Sequence, residues 1–260
     1  MKTNGNTIFI TGGASGIGRA LAEALHQAGN TVIIASRRKA LLEAVVQANP
    51  GMVSLVLDVS TADGIQSAAK EAITRFPDIN VVINNAGIMQ IDDAAAVLDD
   101  AQMLDILSTN LLGPMRLTSA FVEHLKTKKD AVIMYVTSVL GFVPLAPAAV
   151  YSATKAAMHS FAMSQRFMLR NSGVRVLEIA PPWVQTDLLN SNEEPRAMPL
   201  KPFIEETMAV LATDADEILV ERANVLRSRP GPGEMAFVTE FNRAFLSGVS
   251  STANPTDVRA

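Results

Sequence analysis

Thr11-Gly12-Gly13-Ala14-Ser15-Gly16-Ile17-Gly18 is the stretch of sequence that decides the fold. It follows a short apolar run, Thr7–Ile10, and opens a segment of helical character, Gly16–Ala28. Glycines let the backbone turn tightly and approach a pyrophosphate closely, and a helix N-terminus supplies free N–H groups. The glycines have the spacing G-x-x-x-G-x-G. The alternative interpretation of the stretch is an ordinary glycine-rich turn. The strand before the stretch and the helix after it favour a dinucleotide-binding loop, with Gly12, Ser15, Gly16, Ile17 and Gly18 as its candidate ligands.

Short runs rich in β-branched residues alternate with longer helical segments along the chain. The runs are Thr7–Ile10, Thr31–Ala35, Val53–Leu57, Val81–Ile83, Ala131–Val136 and Arg175–Ile179. The helical segments between them are Gly16–Ala28, Arg38–Ala48, Thr61–Phe76, Ala101–Lys126 and Ala148–Asn171. This alternation predicts an α/β fold, a doubly wound parallel sheet of the Rossmann type with its ligand at the carboxyl ends of the strands. We expect one domain over residues 1–260, with a helical lid and C-terminal segment at about 187–247 and a frayed tail over 250–260.

Composition narrows the classes of function. The chain has 260 residues, 48% of them apolar, a net charge of −4 and no cysteine. A weakly acidic chain offers no basic surface for nucleic acid, and the lack of cysteine excludes disulfides and thiolate chemistry. The N-terminus is polar, and no apolar run reaches the roughly 20 residues of a membrane span. We therefore expect a cytoplasmic protein with neither a nucleic-acid nor a membrane partner.

The end of the second strand carries Ser36-Arg37-Arg38, where an NAD site usually places an acid for the ribose 2′-hydroxyl. Two guanidinium groups suit a 2′-phosphate, so these residues predict NADP(H), with NAD(H) the less favoured cofactor. The alternative is a solvated pair at the head of a helix.

Two further strand ends carry candidate cofactor residues. Asp58, followed by Val59, could accept from an adenine amino group or cap the helix that starts near Thr61, and the two roles are compatible. Asn84-Asn85-Ala86-Gly87 ends the fourth strand, where small residues let the chain pass close to a ribose. A plain strand-end turn is the other interpretation of this run.

Tyr151-Ser-Ala-Thr-Lys155 places a phenol and an ammonium on one face of a predicted helix. A neighbouring cation favours the ionised phenol, which makes Tyr151 a candidate proton donor and acceptor, and Ser138 could bind the same oxygen. The alternatives are an interface tyrosine and a surface lysine. The other tyrosine, Tyr135, lies mid-strand and is expected in the core.

Together the glycine-rich loop, the Asn84–Gly87 run, Ser138 and the Tyr151–Lys155 motif resemble the short-chain dehydrogenase/reductase superfamily over roughly residues 7 to 187. The resemblance implies an oxidoreductase that moves a hydride between a nicotinamide dinucleotide and a carbonyl or alcohol. It implies Tyr151 as general acid/base, Lys155 as the residue that lowers its pKa and binds the ribose, and Ser138 as the residue that positions the carbonyl. Asn110 matches the family's water-holding asparagine, with an interior asparagine bound to backbone groups as the alternative.

The run after the sixth strand, Pro181-Pro182-Trp183-Val184-Gln185-Thr186, departs from the family pattern. Pro181, Val184 and Thr186 fit a cofactor-binding role, but Pro182 replaces the usual glycine and stiffens the loop. The tail departs further: Leu200–Ser228 predicts two helices and Pro230–Leu246 another, without the family's glycine-rich seventh strand. The pattern is similar to the DltE-like bacterial branch. It favours a homodimer through Ala101–Lys126 and Ala148–Leu169, with a tetramer as the alternative.

The sequence says less about the residues that contact the substrate. By position, apolar residues could line a pocket for a small, neutral, partly apolar carbonyl or alcohol: Met89, Leu140, Phe142, Val143, Trp183, Leu188 and Leu189. A catalytically silent dinucleotide-binding sensor or scaffold is the competing hypothesis, and a nucleotide-sugar dehydratase or epimerase a third. His26, His124 and His159 lie alone on helical segments, without metal-ligand spacing, and are expected to be solvated or at helix ends; no metal site is predicted.

Overall fold

A parallel sheet forms the centre of the protein; the computed structural model describes residues 1–250. Its strands are β1 (Thr7–Thr11), β2 (Thr31–Ser36), β3 (Val53–Val56), β4 (Ile79–Asn84), β5 (Val132–Val136), β6 (Arg175–Ile179) and β7 (Glu217–Ile218). They follow the order β3-β2-β1-β4-β5-β6-β7, and every neighbouring pair is parallel. The order reverses between β1 and β4, which opens a crevice at the carboxyl ends of these two strands. The predicted doubly wound, Rossmann-type sheet is confirmed.

Helices cover both faces of the sheet. They are α1 (Gly16–Gln27), α2 (Lys39–Ala48), α3 (Ala62–Arg75), α4 (Asp100–Leu107), α5 (Gly113–Lys126), α6 (Ala149–Leu169), α7 (Leu200–Leu211), α8 (Glu221–Arg227) and α9 (Glu234–Ser250). In α1 the buried residues Leu21, Ala22 and Leu25 follow the three- and four-residue spacing of one helix face. The strands are apolar on both sides: Ile8 and Ile10 face a core shared with α1, α2, α7 and α8, whereas Phe9 faces α3, α5 and α6.

The predicted helix Ala101–Lys126 is interrupted. Between α4 and α5 the chain makes a π-helical turn, Ser108–Leu112, that contains Asn110. Pro114, at the start of α5, has no N–H to continue the α-helical ladder, so the α-helix restarts there. Such π-turns occur frequently at functional sites, and the turn contains Asn110, one of the candidate site residues.

The expectation that the C-terminal part lacks a seventh strand is wrong. Glu217 and Ile218, between α7 and α8, pair with Glu178 and Ile179 and extend the sheet by one short strand. A two-residue strand carries no periodicity that a sequence pattern could reveal. The strand contains no glycine, and its pairing partner in β6 decides where it forms.

The remaining C-terminal segment is helical, as predicted. Residues 188–202, at the start of the segment expected to be a helical lid, form a short 3₁₀ helix (Leu188–Glu193), a connecting stretch and the start of α7. Most of the tail expected to be frayed, residues 251–260, lies outside the described residues. Among residues 1–250, no helix combines the length and apolar character needed to cross a bilayer.

Candidate active site

The glycine-rich loop lies between the end of β1 and the start of α1. Gly12 has φ +70° and Gly16 has φ +53°, values that side-chain-bearing residues rarely adopt. A Cβ at Gly12 would lie 2.6 Å from Nδ2 of Asn85, so the loop needs glycine for space as well. Ser15 occupies the N-cap position of α1 but makes no side-chain capping bond, and the first turn carries no acid. The N–H groups at this helix end are therefore open to an anion.

The loop is joined to the end of β4 by hydrogen bonds. The hydroxyl of Thr11 accepts from the backbone N–H groups of Asn85 and Ala86, both at 3.1 Å, and Asn85 Nδ2 donates to the Thr11 carbonyl at 2.9 Å. The predicted Asn84–Gly87 run thus holds the two strand ends at the sheet's reversal point together.

The two arginines after β2 are exposed beside this loop. Arg38 Nη2 donates to Ser15 Oγ at 2.5 Å, which brings one guanidinium group to the start of α1. The hydroxyl of Ser36 accepts from the Arg38 N–H and shapes the turn. The structure thereby collects positive charge at the end of β2, where the sequence placed it.

Asp58 forms a turn with Ser60, whose N–H and hydroxyl both donate to its carboxylate, at 2.9 and 2.8 Å. Burial pushes the pKa of Asp58 upward, but the bonds from Ser60 and the field of Arg37 outweigh it, and the pKa is lowered. The expectation that Asp58 caps α3 is wrong, because the N-cap residue is Thr61 and the Asp58 carboxylate binds Ser60 instead. The following residue, Val59, is half-buried in the same loop.

Tyr151 and Ser138 are brought together at the carboxyl end of β5. Asp92 fixes the start of α6, because its carboxylate accepts from the N–H groups of Ala149 and Val150, both at 2.9 Å. Tyr151 follows one residue later and is buried against Leu145 and Ala148. Burial raises the pKa of Tyr151 to about 12, and a hydrogen bond with Ser138 opposes that rise. The phenol is therefore protonated at neutral pH and poised as a proton donor.

Lys155 lies one helical turn after Tyr151, with its Nζ 5.3 Å from the centre of the Tyr151 ring. The ammonium donates to the carbonyl of Val136 at 3.0 Å. Burial lowers the pKa of Lys155 to about 8, and the field of Glu178 opposes that fall. The predicted lowering of the phenol pKa by Lys155 is not seen in the protein alone, since desolvation dominates the pKa of Tyr151.

Asn110, in the π-turn, lies close to Lys155 at Gly87. Its Oδ1 accepts from the N–H of Ile88 at 2.9 Å and its Nδ2 donates to the Ile88 carbonyl at 2.8 Å. A Cβ at Gly87 would lie 3.4 Å from Asn110 Oδ1 and 3.6 Å from Lys155 Nζ, so both side chains converge on Gly87. Backbone groups satisfy Asn110 here, which matches the alternative interpretation of this residue.

The segment after β6 closes the site. The Pro181 carbonyl accepts from the N–H of Val139, next to Ser138, at 3.0 Å. Val184 forms a parallel bridge with Met198, which fixes the path of the chain beyond Pro182. Thr186 is buried close to Gly16, 3.6 Å from where a Cβ there would stand. Thr186 thus lies beside the glycine-rich loop, whereas Pro181 lies beside the segment that carries Ser138.

A wall of aromatic residues from α9 was not predicted. Phe241 and Phe245 pack against the cluster that contains Tyr151, and Phe245 lies 5.5 Å from Trp183, centre to centre. Asn242 anchors the helix: its Nδ2 donates to the Pro144 carbonyl at 3.0 Å, and its Oδ1 accepts from the Ala146 N–H. Phe241 lies 90 residues after Tyr151 in the chain. The apolar spacing of α9 therefore indicates that the helix packs against something but not which residues it packs against.

The expected substrate lining is corrected in part. Met89 and Leu140 do contact the Tyr151 cluster. Phe142 and Val143 are instead buried in the core that the sheet shares with α1, α2, α7 and α8. Leu188 and Leu189 are partly exposed. A cavity of about 840 Å³ at the amino ends of β5 and β6 lies elsewhere and contains none of the predicted site residues.

The histidine prediction is wrong for His159. Its Nδ1 lies 2.8 Å from Oε2 of Glu178, a fully buried carboxylate in β6. Neither residue stood out in the sequence, because Glu178 is embedded in an apolar strand. His26 and His124 meet backbone carbonyls, of Asn30 and Pro50 and of Ile79 respectively.

These features fit a nicotinamide dinucleotide. The open N-terminus of α1, the positive-φ glycines and the Arg38–Ser15 contact suit a pyrophosphate and a further phosphate, and the Tyr151–Lys155 face suits a ribose and a carbonyl oxygen. When bound, the dinucleotide would supply or accept the hydride.

Comparisons with known proteins place this geometry in a family. Residues 6–197 match the family model described as short chain dehydrogenase. The chain is 36% identical over 233 residues to the uncharacterized oxidoreductase DltE of Bacillus subtilis, covering 87% of this chain and 92% of that protein.

Two solved structures are similar as well. A short chain dehydrogenase from Burkholderia cenocepacia in complex with NADP superposes with a TM-score of 0.81 at 26% identity, covering 92% of this chain and 98% of that one. A 3-ketoacyl-(acyl-carrier-protein) reductase from Brucella melitensis complexed with NADH gives a TM-score of 0.74 at 25% identity, covering 82% of this chain and 93% of that one.

Proposed function

The chain belongs to the short-chain dehydrogenase/reductase family, in its DltE-like branch, and we propose that it transfers a hydride between NADP(H) and the carbonyl or alcohol of a small, neutral, partly apolar substrate. The observation that carries the proposal is the meeting of Ser138, Tyr151 and Lys155 at the carboxyl end of β5. It lies beside a glycine-rich loop with an open helix N-terminus.

In the direction of reduction, the protonated Tyr151 donates its proton to the oxygen of the carbonyl group. Ser138, already hydrogen-bonded to the phenol, holds the same oxygen and stabilises its developing charge. Lys155 anchors the ribose, and its ammonium favours the phenolate that remains after proton transfer. Asn110 binds the backbone of Ile88 and so holds the chain beside Gly87 and Lys155.

The preference for NADP(H) is supported by charge. Arg37 and Arg38 follow β2 without an acid that could bind a ribose 2′-hydroxyl, and Arg38 reaches the start of α1. The similar structures have been obtained with NADP in one case and with NADH in the other. The arginines are therefore the reason for choosing NADP(H).

The substrate class follows from the walls of the site. Met89, Leu140, Phe241 and Phe245 surround the Tyr151 cluster, and the nearby Arg196 is neutralised by Glu194, whose two carboxylate oxygens it binds at 2.8 and 2.9 Å. An apolar wall with a paired cation favours an uncharged substrate. Burial of a carboxylated or phosphorylated group there would lack a free counter-charge.

The test is a panel of aldehydes, ketones and alcohols, followed at 340 nm with NADPH and with NADH. We expect turnover of at least one neutral carbonyl, faster with NADPH. Tight NADPH binding by fluorescence with no oxidation across the panel would instead favour a catalytically silent dinucleotide-binding protein.

The assembly that we propose is a homodimer formed through α4, α5 and α6 in the cytoplasm, with a tetramer as the alternative. Its support is a set of exposed apolar residues on these helices and on the π-helical turn between α4 and α5: Leu104, Leu112, Met163, Phe167 and Met168. Sedimentation equilibrium at several concentrations measures the assembly, and a monomer at all of them would refute it.

A further inference from the structure

A buried carboxylate lies beneath α6, directly behind the proposed site. Glu178, the fourth residue of β6, is fully buried. Its Oε1 accepts from the hydroxyl of Thr137 at 2.6 Å, and its Oε2 lies 2.8 Å from Nδ1 of His159. A buried carboxylate costs several kcal/mol unless other groups compensate it. An acid in the middle of an apolar strand therefore calls for a partner charge.

Lys155 is in position to be that partner. Lys155 and His159 are four residues apart on α6 and share one helix face. The Lys155 ammonium binds the carbonyl of Val136, and the next residue, Thr137, binds Glu178. The ammonium and the carboxylate therefore lie beneath the same face of α6, over the adjacent strands β5 and β6, and influence each other through the electrostatic field rather than through a direct ion pair.

Other charges close the outer side of this cluster. Arg227 of α8 binds both carboxylate oxygens of Glu217 in β7, at 2.7 and 3.1 Å, and lies 4.9 Å from the ring of Phe142. Phe142 in turn packs edge-on against His159. Arg166 of α6 adds a positive field at Glu217. The fixed charges around Glu178 are thus Lys155 on the inside and the Arg227–Glu217 pair on the outside.

His159, Glu178 and Glu217 offer ligand atoms within 4.8 Å of one another, the spacing of a metal site. The Arg227 guanidinium already engages both oxygens of Glu217, and Thr137 and His159 engage those of Glu178. Protein side chains therefore already supply the positive charge that a metal ion would bring to this cluster.

The electrostatics agree with this geometry. Burial lowers the pKa of Lys155 to about 8, and the field of Glu178 is the influence that opposes it. Without Glu178, the Lys155 ammonium would lose its proton at a lower pH.

We propose that Glu178 is a positioning residue of the hydride-transfer site: it touches neither substrate nor cofactor, and it acts by holding Lys155 in its charged form beside Tyr151. Thr137 and His159 hold Glu178 in place for this task. The inference rests on the role proposed for Lys155, and its test does not need turnover.

The test is the titration of Lys155 in the cofactor-free protein, followed by NMR of lysine labelled with ¹³C at Cε. The signal is assigned by its absence in Lys155→Arg. In Glu178→Gln, which keeps the shape and removes the charge, we expect the midpoint to move to lower pH by about one unit. Where turnover is available, the alkaline limb of kcat/KM is expected to move in the same direction.

Two variants bracket that result. Glu178→Asp keeps the charge and is expected to retain most of the wild-type midpoint. Glu217→Gln removes a nearby carboxylate that is paired with Arg227, and the Lys155 midpoint is expected to stay within a few tenths of a unit. An unchanged midpoint in Glu178→Gln overturns the proposal, whether or not the enzyme assay finds a substrate.

Glu178→Gln could also fail to fold. The double variant Lys155→Met/Glu178→Gln then decides, because it removes both charges at once. Recovery of a cooperative melting transition in the double variant supports a Lys155–Glu178 pairing. A double variant as unfolded as the single one overturns it, since Glu178 would then serve only its contacts with Thr137 and His159.

Discussion

The dinucleotide side and the substrate side of the site are built in different ways. The side that we propose binds the dinucleotide is built mainly from backbone features of the β1–α1 loop. These are the positive-φ glycines, the open helix end and the Thr11–Asn85 bonds. On the substrate side, side chains from distant segments, Trp183 and Phe245 among them, form the walls. A backbone site requires particular residue types at fixed spacing, whereas a side-chain wall tolerates many apolar combinations.

Tyr151 and Lys155 stand at the border between these sides. They are fixed by α6, whose start is held by Asp92 and whose His159 contacts Glu178 in β6. Substitutions on the two sides should therefore separate cofactor binding from substrate binding, and a substitution of Tyr151 should affect the chemical step alone.

The largest expected effect is at the border. Tyr151→Phe removes the proton donor and should lower kcat by about 10²–10⁴-fold, the usual contribution of general acid–base catalysis, with the Kd for NADPH nearly unchanged. Stopped-flow or steady-state assays at 340 nm measure the first quantity and fluorescence titration the second.

Tyr135→Phe is the matched control for this prediction. The Tyr135 hydroxyl bonds to Thr118 and Gln165 in the core, so its loss should cost about 1 kcal/mol of stability and leave turnover intact. Full turnover by Tyr151→Phe would show that the proton comes from elsewhere.

A smaller effect is expected on the dinucleotide side. Arg37→Ala should weaken NADPH binding by about 10–100-fold, the worth of one charge-assisted hydrogen bond, and leave NADH binding unchanged. Lys39→Ala, which removes an exposed cation two residues further along the chain, is the control and should alter neither. Equal losses for both dinucleotides, or a wild-type preference for NADH, would contradict the assignment of the 2′-phosphate to this corner.

The smallest effect is expected on the substrate side. Phe245→Ala removes an aromatic wall residue and should raise KM for the carbonyl by about 3–10-fold, as expected for lost apolar contact, with the Kd for NADPH unchanged. Met235→Ala, at an exposed position of the same helix, is the control. A rise in KM of the same size in Met235→Ala would show that α9 acts only through its general packing.

The elements predicted from the sequence were long and periodic. Six strands and the helices after them repeat a pattern that is typical of a doubly wound parallel sheet, and the glycine-rich loop lies between β1 and α1 as expected. The elements that the sequence did not predict are either very short or depend on residues further along the chain. β7 has two residues, and the π-turn at Asn110 depends on the restart of the helix at Pro114.

The buried charges were also out of reach. Glu178 lies in an apolar strand, and the sequence predicts no partner for His159 on α6. The two side chains come together only because β6 packs beneath α6. The rise in the pKa of Tyr151 has the same origin, since burial is a property of the folded chain and spacing within one helix does not report it.

The sequence by itself determined the parallel sheet, the dinucleotide loop and the residues at the ends of its strands, because their physical requirements act over a few neighbouring residues. Only the tertiary structure decided which charges stand behind Lys155, how strongly Tyr151 is desolvated and which helix closes the substrate side. Those properties depend on groups far apart in the chain, and packing alone determines their distances and their access to water.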